Sequence, residues 1–394
     1  MREADRPMTG ALDGIRILDL SWGIAGPLGV LLLAEQGADV IKIEPPGGDP
    51  FRVYDGYKVW TRSRRSVTCD LKSDAGVAAF RKLAATADVL VESFRPGVMD
   101  RLGVGYDALH AELPRLVYCS VPAYPPGHRL AHRPGYDALV QASSGQQWEQ
   151  PGWRAGPIFL HMPMPSMGAI FLVPTGILSG LLARERTGAG QQVSTSLLQG
   201  AFLYTTQIWQ HVEKADAGFH DLMGKSYPPG VHQGMIFECA GREYVHVSVM
   251  SGLPPKKSMD ELLGVEPPPA EKLEGLLPLQ QQVLMNERRR DAFKEHKRDE
   301  LVAEFQANNI AVEAIITMEE ALSQPHAQLA ANDMVVTVDD PDLGPLIQTG
   351  VPIHLFGTPG EIQGPQPRIG EHNKEIWNEV GMSGDVAEVT GKSD

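Results

Sequence analysis

The sequence predicts an α/β protein, a Rossmann-like, doubly wound parallel sheet accompanied by a smaller α+β domain. Three observations predict it. A β-rich run, Ile15–Leu20, passes through a glycine turn into a helix and then into a second β-rich run, Ala38–Glu44, which makes a βαβ unit. Two further apolar runs, Asp88–Glu92 and Leu116–Val121, give the sheet more strands. The 394 residues can bury a sizeable core and divide most naturally into two domains.

Taken in order, Ile15–Leu20 is a buried strand, and Gly23-Ile24-Ala25-Gly26-Pro27 turns the chain, with Pro27 suited to a first helical turn. The helix Leu28–Gln36 stops at Gly37, and the second strand follows. A βαβ opening invites a nicotinamide reading, with Glu44 placed where a ribose-binding acid would sit. The glycines spell GxxG rather than GxGxxG, and a plain α/β scaffold accounts for the pattern equally well. A basic stretch comes next: Arg52, Lys58, Arg62, Arg64, Arg65 and Lys72, then Arg95 and Arg101. In an acidic chain this clustering suggests an anionic, phosphate-bearing ligand, and a solvated face of surface ion pairs is an equal alternative.

Beyond Leu116–Val121, a proline-rich loop from Pro122 to Pro134 ends at Gly135-Tyr136-Asp137. The stretch Leu160–Val193 then carries an apolar helical run from Ser166 to Leu182, a charged Arg184-Glu185-Arg186 turn and a glycine hairpin, Thr187-Gly188-Ala189-Gly190. Its longest apolar part, Met167–Ala183, contains Pro174 and three glycines and reads as a buried helix rather than a membrane span. Helical turns continue through Gln210. The loop Tyr227-Pro228-Pro229-Gly230 leads to strands around Met235–Glu238 and Glu243–Val249. A helix covers Arg288–Phe305, with Arg288-Arg289-Arg290 as a solvated face, followed by a strand at Val312–Ile316 and a short helix at Glu375–Val380.

Composition narrows the function. A formal net charge of -14 argues against a nucleic-acid binder. Cys69, Cys119 and Cys239 are far apart and form no CxxC pair, which argues against a disulfide framework or a zinc site and for a reducing cytoplasm. The opening MREADRPMTGALDG lacks an apolar core, so no signal peptide is expected.

Ordered motifs along nearly the whole chain resemble the class III CoA-transferases of the CaiB/BaiF type. They are Leu12–Leu20, Ala25-Gly26-Pro27, Gly37–Glu44, Gly47–Arg52, Arg65–Lys72, Glu92–Gly97, Arg101-Leu102-Gly103, Arg133–Asp137, Thr187–Val193 and Arg368–Asn373. The resemblance implies a large CoA-binding α/β domain from residues 1–205 and 335–394, a small domain over 225–325, and linkers at 206–224 and 326–334. It also implies two subunits interlocked like chain links, and CoA or acyl-CoA as substrate with no prosthetic group. Ala25, Lys72, Ser93, Phe94, Arg101 and Tyr136 fall at CoA-contacting positions. Ser93 stands where the family often has Asn, and Thr61 replaces an Asn before the arginine motif.

The family's chemistry is implied to depend on one aspartate, whose ionised carboxylate attacks an acyl-CoA thioester and leaves again readily. Counting from the matched motifs places that residue at Ser166, and no Asp lies between Asp137 and Asp216. Asp137, within the GYD motif, reads as structural. Serine needs an adjacent base, and His161 is near in sequence. The racemase branch's His falls at Tyr136, which disfavours racemisation, and the glycine-rich loop is reduced to Gly224–Gly230. The expectation is therefore a CoA-transferase subunit lacking its own nucleophile. It would act beside a paralogous, Asp-bearing subunit, as in succinyl-CoA:benzylsuccinate CoA-transferase. The alternatives are a non-catalytic CoA-binding scaffold and a repurposed acyl-CoA lyase or hydrolase using Ser166. Neither nucleic acid nor membrane is an expected partner.

Overall fold

In the computed structural model, residues 10–149, 157–205, 235–248, 253–276, 278–323, 329, 331–382 and 389 are described. Among them, those within 1–146, 159–207 and 327–394 form one compact unit, and those within 147–158 and 208–326 form a second.

Six parallel strands make the sheet of the first unit: β1 (Arg16–Asp19), β2 (Asp39–Glu44), β3 (Arg65–Thr68), β4 (Val89–Glu92), β5 (Val117–Ser120) and β6 (Gln192–Ser194). Their order is β3-β2-β1-β4-β5-β6, the doubly wound arrangement, in which the winding reverses between β1 and β4. The helices of the first half are α1 (Ala25–Ala34), α2 (Tyr57–Trp60), α3 (Asp74–Ala84), α4 (Val98–Arg101), α5 (Tyr106–Glu112), α6 (Asp137–Ser143), α7 (Gln146–Glu149), α8 (Met164–Thr187) and α9 (Leu197–Thr205). α1 begins three residues before the expected Leu28, so Pro27 lies inside its first turn.

Alternating side chains build a core on each face of the sheet. Leu18, Ile41, Val67, Leu90 and Tyr118 pack with Phe80 and Leu83 of α3 and with Trp377. Ile17, Val40, Val89, Val91, Val117 and Cys119 pack with Val30 and Leu33 of α1 and with Ala169, Val173 and Ile177 of α8. Trp377 belongs to the helix Asn373–Glu379, so a C-terminal segment completes the core begun by the N-terminal strands. A hairpin of two further strands, Val335–Asp340 and Gly344–Thr349, belongs to the same unit.

α8 is long and apolar enough to cross a membrane by length and composition, yet half of its apolar window is buried, and it packs against α1 and α9. Its glycines explain how. A Cβ on Gly29 of α1 would stand 2.8 Å from the Val173 Cβ, and one on Gly180 would stand 2.9 Å from Val117. A Cβ on Gly168 would overlap the Gly200 carbonyl of α9. Pro174 removes one helical N–H, and the Ile170 carbonyl so released faces Gly29. At the far end, Gly188 takes a left-handed φ of 77°, which closes the helix where the glycine hairpin was expected.

The second unit holds a three-stranded sheet of Ile236–Glu238, Tyr244–Ser248 and Ala311–Ile315, all antiparallel neighbours. Helices Pro278–Phe293 and Arg298–Ala307 cover it, and Phe237, Phe293 and Phe305 form its aromatic centre. The arginine run is not a uniform solvated face. Arg288 and Arg290 are exposed, whereas Arg289 is buried and makes a two-pronged ion pair with Asp260 at 2.6 and 2.7 Å. The expected loop Gly224–Gly230 and the linker 206–224 lie outside the described residues.

Because the α8–α9 contact is backbone against backbone, it cannot yield to a rotamer change. Gly168→Ala is expected to destabilise the first unit by about 1–3 kcal/mol, read as a lowered thermal midpoint, whereas Gly47→Ala, which has open space around it, should not lower it through overpacking.

Candidate active site

A cavity of about 850 Å³ opens at the carboxyl ends of the strands, beside the point where the winding reverses. Each strand end contributes a short piece of its wall. Trp22–Ala25 follow β1, Pro45, Pro46 and Phe51 follow β2, Asp70–Lys72 follow β3, and Ser93–Arg95 follow β4. Ala123 and Pro134–Asp137 come after β5, and Ser166 arrives on α8.

The β1 and β4 turns are fastened to each other. The Ser93 hydroxyl accepts from the Trp22 N–H at 2.7 Å, and the Trp22 and Phe94 rings meet edge to face at 5.2 Å. Beneath them, the Glu92 carboxylate accepts from the Phe94 N–H at 2.7 Å. Burial pushes the Glu92 carboxyl up to about 7, against the opposing pull of its hydrogen bonds from Ser120 and Phe94. No side chain caps α1, whose first residues face the cavity beside Lys72 and Arg95, an arrangement suited to an anion.

Ala25, Lys72, Ser93, Phe94, Tyr136 and Ser166 all line this one cavity. Arg101 does not. The α4 turn offers Val98 and Leu102 to the cavity and leaves Arg101 exposed beside it. Thr61 is also outside the lining, fully buried and donating to the Tyr57 carbonyl at 2.8 Å.

Most of the basic stretch is neither a phosphate-binding patch nor a solvated face. Arg52 pairs with Glu44 at 2.6 Å, Lys58 with Asp340 at 2.7 Å, Arg62 with Glu35 at 2.7 Å and Arg64 with Asp19 at 2.5 Å. Arg65 reaches Asp39, Glu375 and Glu379. Of the six residues, only Lys72 lines the cavity. Glu44 is spoken for as well. Burial would raise its carboxyl, but Arg52, Ser66 and the Asp49 N–H donate to it and hold it below the usual carboxylate range. It is an internal counter-ion, and the nicotinamide reading loses its ribose acid.

Asp137, which the sequence reading took as structural, lies beside Ser166. It lines the cavity, and its two carboxylate oxygens accept from the Ser166 N–H and the Ser166 hydroxyl, each at 2.7 Å. His161, the neighbour in sequence, is instead exposed, with its ring edge-on to Phe159. One signal pointed at Asp137: it is the last aspartate before a gap that runs to Asp216. Cys69 is a buried thiol in the cavity lining and Cys119 a buried thiol in the core against α1 and α8, and burial raises Cys69 to about 12. Among the described residues, no group of three or more His, Cys, Asp or Glu is placed to hold a metal.

Glu92 sets a pH dependence. Its folded pKa of about 7 lies above the ordinary 4.5, so its contribution is fully present below about pH 4.5 and is lost as pH rises through about 7. Denaturant titrations should show Glu92→Gln gaining on the wild type between pH 5 and pH 8, by on the order of 3 kcal/mol.

The model of CoA-transferase family III matches residues 12–373. The chain is 30% identical over 403 residues to the formyl-CoA:oxalate CoA-transferase of Streptomyces coelicolor, covering 94% of this chain and 96% of that one. It is 27% identical to the succinyl-CoA–D-citramalate CoA-transferase of Chloroflexus aurantiacus, covering 94% of each. Among solved structures it resembles Rv3272 of Mycobacterium tuberculosis, with a TM-score of 0.74 and 26% identity over 94% of this chain and 99% of that one. With the fold, the cavity and a match along nearly its whole length in agreement, the chain belongs to CoA-transferase family III.

Proposed function

We propose that this chain binds an acyl-CoA in the cavity of its first unit and takes part in moving the CoA to a carboxylic acid. It does so as one subunit of a class III CoA-transferase, in the cytoplasm, beside a paralogous subunit that carries an aspartate where this chain has Ser166. The two subunits interlock, with residues 1–205 and 335–394 as the CoA-binding domain and 225–325 as the small domain. The observation that carries the reading is the meeting of Ala25, Lys72, Ser93, Phe94 and Tyr136 around Ser166 in one cavity. A CoA-sized ligand has walls and cationic side chains there, while the position that should carry the nucleophile holds a hydroxyl.

The donors named in the two relatives, formyl-CoA and succinyl-CoA, have short acyl groups, and the acceptors, oxalate and citramalate, are dicarboxylic acids. A short acyl-CoA such as succinyl-CoA and a dicarboxylate acceptor are therefore the substrates to try first.

Transfer assays on the chain expressed with and without its Asp-bearing paralogue test the reading. Full transfer is expected only from the pair, and full transfer from this chain alone would sink it. Lys72 lines the cavity together with Arg95, so Lys72→Ala should weaken CoA binding about 5- to 50-fold by calorimetry, with an unchanged thermal midpoint. An unchanged affinity would remove Lys72 from the site.

A further inference from the structure

The Asp137–Ser166 pair is a chemical unit in its own right. Asp137 opens α6, and Ser166 lies in the first turn of α8, so the carboxylate rests across the amino end of a 24-residue helix. It takes one helix N–H and the Ser166 hydroxyl, one donor to each oxygen, and each oxygen keeps a further lone pair. Ser166 is 2% exposed, while Asp137 is only half-buried, and both face the cavity.

Chemistry decides which of the two can attack. To act as a nucleophile, the serine hydroxyl would have to surrender its proton to a carboxylate, a base far weaker than the alkoxide that would form. The carboxylate needs no base, and a thioester offers it a good leaving group. Its Oδ2 stands 2.7 Å from the Ser166 Oγ, close to the space that a longer acidic side chain at position 166 would fill.

We propose that Asp137 is a nucleophilic carboxylate that opens acyl-CoA thioesters in this chain's own cavity, giving the chain a slow acyl-CoA hydrolase activity independent of any partner. The proposal rests on the reading that the cavity binds acyl-CoA. An Asp137 oxygen adds to the thioester carbonyl carbon, the C–S bond breaks with its electron pair passing to sulfur, and CoA thiolate leaves behind an acyl-Asp137 anhydride. Water then adds to the acyl carbonyl and the C–O bond to Asp137 breaks, which releases the acid and restores the carboxylate. One water proton goes to the thiolate and the other to solvent. Ser166 is a positioning residue, whose two donors aim the carboxylate.

The test uses the purified full chain without a partner, incubated with acetyl-CoA or succinyl-CoA. Thiol release is followed with a chromogenic reagent, and hydroxylamine quenching is read by peptide mass spectrometry. The wild type is expected to release CoA over many turnovers and to carry a hydroxamate on Asp137. Asp137→Asn should lose at least about 100-fold in rate while binding free CoA as the wild type does. Ser166→Ala should lower the rate at saturation about 10-fold with no change in CoA affinity. Release by Asp137→Asn at the wild-type rate, a hydroxamate on another residue, or no release from a wild-type chain that binds CoA would each overturn the proposal. A wild-type chain that does not bind CoA would overturn the functional reading beneath it instead.

Discussion

The cavity depends on opposite charges buried under its floor. Asp19, at the end of β1, is fully buried and takes Arg64 at 2.5 Å, while Lys42 of β2 sits 3.2 Å from Asp49, which also accepts from the Tyr57 hydroxyl at 2.6 Å. Two acids and two bases balance. The same cations hold backbone: Arg64 donates to the Pro27 and Trp60 carbonyls, and Lys42 to the Ser21 carbonyl. Taking any one charge away leaves its partner buried and uncompensated, at a cost of about 3–5 kcal/mol. The network thus ties the turn after β1, the end of β2 and the segment before β3 into one block, which carries the part of the cavity wall made by Leu20, Trp22–Ala25 and Ile43–Pro46.

Charge also marks the limit of what the sequence could say. β1, β2, β4 and β5 were legible because each is a local apolar run, with Ile17 and Leu18 facing opposite cores, as do Val89 and Leu90. β3 and β6 carry no such run, and neither they nor the hairpin Val335–Thr349 were read as strands. The fates of Arg52, Lys58, Arg62, Arg64 and Arg65 were not legible. Several of their partners lie far away in the chain, at Asp340, Glu375 and Glu379, and residue type alone cannot tell a buried counter-ion from a ligand contact. Five of the motif-based candidates, Ala25, Lys72, Ser93, Phe94 and Tyr136, meet in one cavity because they follow strand ends, and strand ends converge on one crevice in this topology. Arg101 escaped because it sits on a one-turn helix whose neighbours at 98 and 102 face the cavity instead. The Asp137–Ser166 contact was not legible, because its two residues lie 29 positions apart.

α8 links packing to the site. Glycines at 168 and 180 let it press against α9 and β5, and Gly29 of α1 lets it close on Val173. These contacts fix where the helix begins, and hence where the Ser166 N–H and hydroxyl point. The glycines of the apolar run are the cause of its position rather than breaks in it.

The Asp137–Ser166 contact also bears on what a different side chain at position 166 would meet. Replacing Ser166 with aspartate would keep the backbone N–H donor but exchange the hydroxyl donor for a second carboxylate, set against the first in a half-enclosed space. Two such groups cannot both ionise without cost, and one would hold a proton.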